Sequence, residues 1–304
     1  MQNQNIPSEK MAMKDKVVMI TGANSGIGKA ASLALAKMGA NVVMVTRNKE
    51  KGEAAKSEII RESQNDSVDL LLADLSSLES VRLLAAEFQK KYAKLHVLIN
   101  NAGLFNQGRK VTADGYENTF ATNYLAPFLL TNLQLPTLKA SAPSRIINVS
   151  SVGHYNGHIN FDDLNLEREY GGWKAYGQSK LALVLFTHEL SKKLRGTGVT
   201  VNSVHPGTVA TNIWTRPFGP VGFITALPKL FMASPGKGAE TIVYLASSVD
   251  AKDPNGEYLE KLKVKKSSDE SYDEEIAQRL WDVSAKLTHL SHPLPTDEWN
   301  RPIE

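Results

Sequence analysis

Residues 17–28, Val-Val-Met-Ile-Thr-Gly-Ala-Asn-Ser-Gly-Ile-Gly, decide how the chain is read. Val17–Thr21 is apolar and β-branched enough for a buried strand, and a helical pattern runs from Ile27 to Met38. Between them Gly22, Gly26 and Gly28 stand at Gly-x-x-x-Gly-x-Gly spacing. Glycines allow a tight turn and close backbone approach, and the unpaired N–H groups of a helix N-terminus attract a pyrophosphate. The spacing is not the Gly-x-Gly-x-x-Gly dinucleotide fingerprint, but strand, glycine turn and helix stand in the same order.

Working outward, short apolar runs alternate with helical ones. Expected strands are Val17–Thr21, Val42–Thr46, Val68–Leu72, Val97–Asn100, Arg145–Val149 and Val199–Val204. Expected helices are Ile27–Met38, Glu50–Glu62, Leu78–Tyr92 and Thr119–Leu138, with Lys237–Ser247 and Asp273–Leu287 further on and a short strand at Glu257–Leu259. This alternation predicts an α/β fold: a single Rossmann-type, doubly wound parallel sheet flanked by helices. The expected domain spans residues 15–287, with a flexible arm at 1–14 and a C-terminal tail at 288–304. Residues 212–236 mix Pro and Gly with apolar side chains. They read as a substrate lid, a segment touching a membrane surface, or an irregular part of the core.

Composition excludes several classes. With 35 basic and 32 acidic residues, the +3 balance gives no nucleic-acid footprint. The absence of cysteine removes disulfides, thiolate metal sites and cysteine nucleophiles. His154 and His158 stand four apart but with no third ligand nearby, so no metal site is expected. Residues 1–14 lack the apolar core of a signal peptide, and no apolar run is long enough to span a bilayer. A soluble cytoplasmic protein is expected, with peripheral membrane contact and homo-oligomerisation left open.

The end of the second strand bears on the cofactor. A carboxylate there would hold the ribose 2′-hydroxyl of NAD and repel a 2′-phosphate. This chain has Thr46 followed by Arg47, Asn48 and Lys49, and Arg47 can pair with a 2′-phosphate through a charge-assisted fork. NADP(H) is therefore the expected cofactor.

Tyr176 and Lys180 stand one helical turn apart at the head of a strongly apolar run, so phenol and ammonium can share one face. A nearby cation is expected to lower the phenol pKa and ready it for proton exchange with a carbonyl or alcohol oxygen. A second copy, Tyr170 and Lys174, encloses Gly171 and Gly172, which disfavour a helix. Further upstream, Pro127 has no N–H, so in an α-helix the carbonyl of Asn123 lacks its partner.

From about Lys14 to Leu287 these pieces, in this order, resemble the short-chain dehydrogenase/reductase family. The cofactor loop corresponds to Gly22–Gly28, including Asn24, Ser25, Gly26 and Ile27. Asp74-Leu75 resembles its adenine-pocket pair, and Asn100-Asn101-Ala102-Gly103 its sheet-stabilising motif. Ser151, Tyr176, Lys180 and Pro206-Gly207 follow in the family's sequence of motifs. The stretches VTRNKEKGE, INFDDLNLE, HPGTVATN and YDEEIAQRLWDVSAKL look like its retinol-dehydrogenase-like branch. That branch generally uses NADP(H) on lipophilic aldehydes, ketones or alcohols.

The resemblance implies a catalytic set of Asn123, Ser151, Tyr176 and Lys180. Tyr176 exchanges the proton with the substrate oxygen as hydride is transferred. Ser151 stabilises charge on that oxygen, with Ser150 as the alternative assignment. Lys180 depresses the tyrosine pKa and binds the nicotinamide ribose, and the Asn123 carbonyl relays protons through a water. Val209 and Thr211 fall in the nicotinamide-contact stretch, His205 is expected beside it, and the insertion around His158–Gly172 forms a lip of the pocket. The rival reading is a binding protein that senses NADP(H) without turnover; such proteins typically lose the tyrosine or lysine, and all four positions are present here.

Overall fold

The computed structural model describes residues 12–207, 234–248 and 254–290. The expected lid at 212–236 therefore lies largely outside the described residues, as do Val209, Thr211, most of the arm at 1–14 and most of the tail at 288–304. Eight strands form one sheet in the order β3-β2-β1-β4-β5-β6-β7-β8. They are β1 (Val17–Thr21), β2 (Asn41–Thr46), β3 (Val68–Leu72), β4 (Val97–Asn100), β5 (Ser144–Val149), β6 (Val199–His205), β7 (Tyr258–Glu260) and β8 (Lys263–Lys265). Every pairing is parallel except that of β7 with β8. β8 was not expected: three exposed residues, Lys-Val-Lys, carry no buried-strand signal, and a tight turn after β7 creates the pairing.

The helices are α1 (Gly26–Lys37), α2 (Lys49–Ser63), α3 (Leu78–Lys91), α4 (Asn118–Phe120), α5 (Ala126–Ala140), α6 (Gly172–Lys193), α7 (Pro235–Ser247) and α8 (Glu274–Leu287). Strand side chains alternate between two cores, because successive residues of a strand point to opposite faces. Val17, Met19, Val43, Val45, Ile146 and Val201 pack with α3, α5, α6 and α8. Val18, Ile20, Val42, Met44, Ile147 and Val149 pack with α1, α2 and α7. Burial on both faces explains why these strands read as continuous apolar runs.

Two expected boundaries shift. Met13, placed in the flexible arm, is buried and donates its N–H to the Met38 carbonyl at 2.9 Å. At the other end Thr288 is buried, and Arg82 donates to the carbonyls of Thr288 and His289, so the first residues of the tail are docked. Pro235 and Gly236, expected in the lid, open α7 behind the Ser234 cap.

The helix expected at Thr119–Leu138 is interrupted. Ala121–Leu125 forms a π turn in which the Ala126 N–H donates to the Ala121 carbonyl. In the π register Pro127 faces the carbonyl of Thr122, and in the α register that of Asn123; having no N–H, it can serve neither. The turn thus falls on the residue that the sequence singled out. Among the described residues no helix is long and apolar enough to cross a membrane.

Candidate active site

Strand order reverses between β1 and β4, and in open α/β sheets the ligand cleft lies outside the C-terminal strand ends at such a point. Thr21 closes β1 and stitches the two lips together. Its hydroxyl accepts the N–H groups of Asn101 and Ala102, each at 3.0 Å, while Asn101 Nδ2 donates to the carbonyls of Thr21 (2.8 Å) and Gly22 (3.3 Å). Gly22 has φ +67°, and a Cβ there would lie 2.9 Å from Ala102 Cα. At Gly28 a Cβ would meet the Gly22 carbonyl at 2.4 Å and Asn101 Nδ2 at 2.5 Å. Ser25 sits at the N-cap of α1 in extended conformation, but its side chain makes no capping bond. A bare glycine wall facing uncapped first-turn N–H groups fits a pyrophosphate, so Gly22–Gly28 can hold a dinucleotide.

At the end of β2 the Arg47 side chain is 70% exposed, with its guanidinium 3.8 Å from Asp74 Oδ2. Such an exposed pair constrains the guanidinium little. Asn48 caps α2 by accepting the Lys51 N–H at 2.8 Å, which commits its side-chain oxygen to the helix. Asp74 accepts from both the backbone and the hydroxyl of Ser76, and Leu75 packs partly buried against the core. Beyond β6, Gly207 turns the chain at φ +85° after Pro206. His205 ends that strand buried, with no partner for Nδ1 among the described residues.

Helix α6 brings Tyr176 and Lys180, 5% and 4% exposed, to the C-terminal ends of the strands, with Lys180 reaching the end of β5 and Gly103 after β4. The Ser151 side chain acts on the Tyr176 phenol, and Gly153 packs so close that a Cβ there would stand 3.0 Å from Tyr176 Cε1 and 3.6 Å from Ser151 Oγ. Ser150 does not compete for this place, because its hydroxyl donates to the Lys180 carbonyl at 3.0 Å. Lys180 Nζ donates to the Val149 carbonyl at 2.8 Å and lies 5.7 Å from the centroid of the Tyr176 ring. The Asn123 side chain is locked in place: it accepts from Leu104 N at 2.8 Å and donates to Leu104 O at 2.9 Å and Ser179 Oγ at 3.0 Å. A Cβ on Gly103 would be 3.4 Å from both Asn123 Oδ1 and Lys180 Nζ, so these three residues meet. Asn123, Ser151 and the Tyr176–Lys180 pair of α6 therefore converge from three separate parts of the chain.

The electrostatics correct one expectation. Burial pushes the Tyr176 phenol above its ordinary pKa, outweighing the Ser151 hydrogen bond that pulls it down. Burial also lowers Lys180 to about 8. The expected lowering of the tyrosine by a neighbouring cation is thus not what the folded chain presents: at this depth desolvation sets the direction, and the lysine faces a backbone carbonyl.

The duplicate pair is separated. Tyr170 precedes α6 and donates its hydroxyl to the Asn106 carbonyl at 2.9 Å, while Lys174 pairs with Glu169 on the surface. The 158–172 insertion packs against the loop after β4, where Arg109 donates to Asn165 O and Glu117 N to Asn165 Oδ1. Of the two discounted histidines, His158 faces Glu270 at 2.9 Å and His154 is buried behind Ser151. Two aromatics beside the tyrosine escaped the sequence reading. Phe105 and Trp173 lie 6.0 and 6.3 Å from Tyr176, ring centroid to centroid, and Trp173 is 58% exposed. Trp173 could have been found, since it stands three residues before Tyr176 on the same helical face.

The chain belongs to the short-chain dehydrogenase family, whose model matches residues 16–218. Membership makes it an oxidoreductase of the carbonyl–alcohol class that works with a nicotinamide dinucleotide. It is 46% identical over 290 residues to retinol dehydrogenase 13 of Homo sapiens, covering 93% of this chain and 88% of that one. A crystal structure of an uncharacterised protein from Mycobacterium paratuberculosis superimposes with a TM-score of 0.76 at 34% identity, covering 92% and 96% of the two chains. The NADP complex of RhlG from Pseudomonas aeruginosa superimposes with a TM-score of 0.67 at 25% identity, over 82% and 96%. Other solved structures of the same fold carry NADP or NADH.

Proposed function

We propose that this protein is an NADP(H)-dependent oxidoreductase that interconverts a lipophilic aldehyde or ketone and its alcohol, with Tyr176 as the acid–base group. The observation that carries this reading is the convergence of Ser151 and Tyr176 around Gly153, with Lys180 buried 5.7 Å from the tyrosine ring and Phe105 and Trp173 beside it. A bound nicotinamide dinucleotide supplies or accepts the hydride. Ser151 holds the substrate oxygen, and Tyr176 gives that oxygen a proton in reduction or takes it in oxidation. Burial holds the phenol above its ordinary pKa, so the hydroxyl carries a proton that it can give to a carbonyl oxygen. Arg47 would receive the 2′-phosphate and Asp74 and Leu75 would border the adenine, while Lys180 and the Asn123 carbonyl would relay a proton to the tyrosine in reduction and away from it in oxidation. Aromatic surface at the cleft and similarity to retinol dehydrogenases support an apolar substrate, retinal first among those to try.

The test is NADPH oxidation across a panel containing retinal, steroid ketones and small aromatic carbonyls. Consumption of NADPH with an apolar carbonyl, absent from Tyr176→Phe, is the expected result. Tight NADPH binding with no turnover on any carbonyl or alcohol would instead favour a nucleotide sensor.

A further inference from the structure

His154 lies in the turn Val152–Asn156 directly after Ser151 and is completely buried. Its Nδ1 is 2.6 Å from the Ser151 carbonyl, and its Nε2 is 3.2 Å from the backbone nitrogen of Ser268. A backbone N–H can only donate, so Nε2 must be the bare nitrogen. The proton of the neutral ring then sits on Nδ1 and is donated to Ser151. Burial depresses the imidazole pKa and keeps the ring neutral. The ring is held between Tyr155 and Tyr258, with centroids at 4.0 and 4.6 Å. The Ser151 carbonyl receives a second bond from the His154 N–H at 3.1 Å, while the Ser151 hydroxyl accepts from Gly153 N at 3.2 Å.

The segment that supplies Ser268 is itself bolted to this turn. Tyr155 donates to the Lys266 carbonyl at 2.7 Å, and Glu270 accepts from Ile159 N at 2.9 Å. These bonds reach Tyr155 in the turn and Ile159 beyond it, whereas the imidazole reaches Ser151 itself.

We propose that His154 is a positioning residue: as the Nδ1–H tautomer it fixes the backbone of Ser151 against the segment around Ser268 and so aims the serine hydroxyl at the substrate oxygen. This rests on the reading that Ser151 holds that oxygen.

The test uses the full-length protein, NADPH and retinal as the carbonyl probe. His154→Asn keeps a donor near Nδ1, His154→Gln keeps an acceptor near Nε2, and His154→Phe keeps only the ring. Gln and Phe are expected to lower kcat roughly tenfold, less than deletion of the hydroxyl itself, with NADPH affinity unchanged. Asn is expected to restore most of the loss. In a Ser151→Ala background, His154→Gln is expected to cost nothing further, because its effect passes through the hydroxyl already removed. Equal losses in Asn and Gln, or the same loss with and without the serine, would overturn the proposal. Wild-type kcat in Ser151→Ala alone would remove the serine's role and this one with it. If the variants fail to fold or retinal is not turned over, imidazole ¹⁵N shifts of the unsubstituted protein decide: an Nδ1–H tautomer supports the assignment and an Nε2–H tautomer refutes it.

Discussion

Lys180 directs its ammonium at the carbonyl of Val149, 2.8 Å away, from a position 5.7 Å off the ring of Tyr176. The lysine is thus anchored to the end of β5, the strand that also delivers Ser151. One contact holds the helix of the acid–base pair in register with the serine beside it. Ser150 reinforces the same junction from the other side by donating to the Lys180 carbonyl.

Replacing Tyr176 by phenylalanine removes the group proposed to exchange a proton with the substrate oxygen. Turnover is expected to fall by at least ~100-fold, with NADPH affinity near wild type by fluorescence titration. Tyr170→Phe is the control. Its hydroxyl, pushed up to about 12 chiefly by burial, serves the Asn106 carbonyl, so the change should cost about 1 kcal/mol of stability and leave kcat largely intact. Equal losses of activity in both variants would mean that the second pair matters after all.

Lys180 links stability to pH. Its folded pKa of about 8 lies below the ordinary 10.5, so between those values the unfolded chain binds a proton that the folded chain does not. Stability from this group therefore rises as pH climbs from 8 towards 10.5 and is lost as pH falls through 8, by about 3 kcal/mol in all. Tyr176, raised by burial, acts with the opposite sign once the unfolded phenol ionises. Thermal melts from pH 7 to 10 should show Lys180→Met losing this alkaline gain relative to wild type. Parallel curves for the two proteins would contradict the lowering of the Lys180 pKa by burial.

Arg47→Asp replaces a cation by a carboxylate at the end of β2. The ratio of kcat/KM for NADPH over NADH is expected to drop by ~100-fold or more, since a favourable charge pair becomes a repulsive one. An unchanged ratio would remove Arg47 as the selector.

Gly28→Ala places a methyl where the Gly22 carbonyl and Asn101 Nδ2 already stand, at 2.4 and 2.5 Å. The Gly22 backbone would have to move as well as the Asn101 side chain. Loss of NADPH binding together with a fall of about 2–3 kcal/mol in stability is expected, read by titration and denaturant unfolding. Normal binding would show that the glycine loop tolerates more room than its contacts allow.

The fold was largely legible because its determinants are local. Strands buried on both faces must be apolar throughout, and helices between them must carry a 3.6-residue period, so β1 to β6 and most helices emerged within a residue or two. Short β8 did not, because its three residues bury nothing and exist only by pairing with β7. The π turn at Ala121–Leu125 was half-visible: Pro127 announced a broken ladder, but not the register in which it breaks.

Residue types and order alone determined the parallel sheet, the glycine loop after β1 and the Tyr176–Lys180 spacing on one helix face, since each follows from neighbours in the chain. The tertiary structure decided the rest. It set the depth at which phenol and ammonium sit, and so reversed the expected direction of the Tyr176 pKa, because desolvation depends on everything packed around a group. It placed Phe105 beside Trp173 and joined His154 to Ser268 across the fold, contacts between residues far apart in sequence that no local pattern encodes.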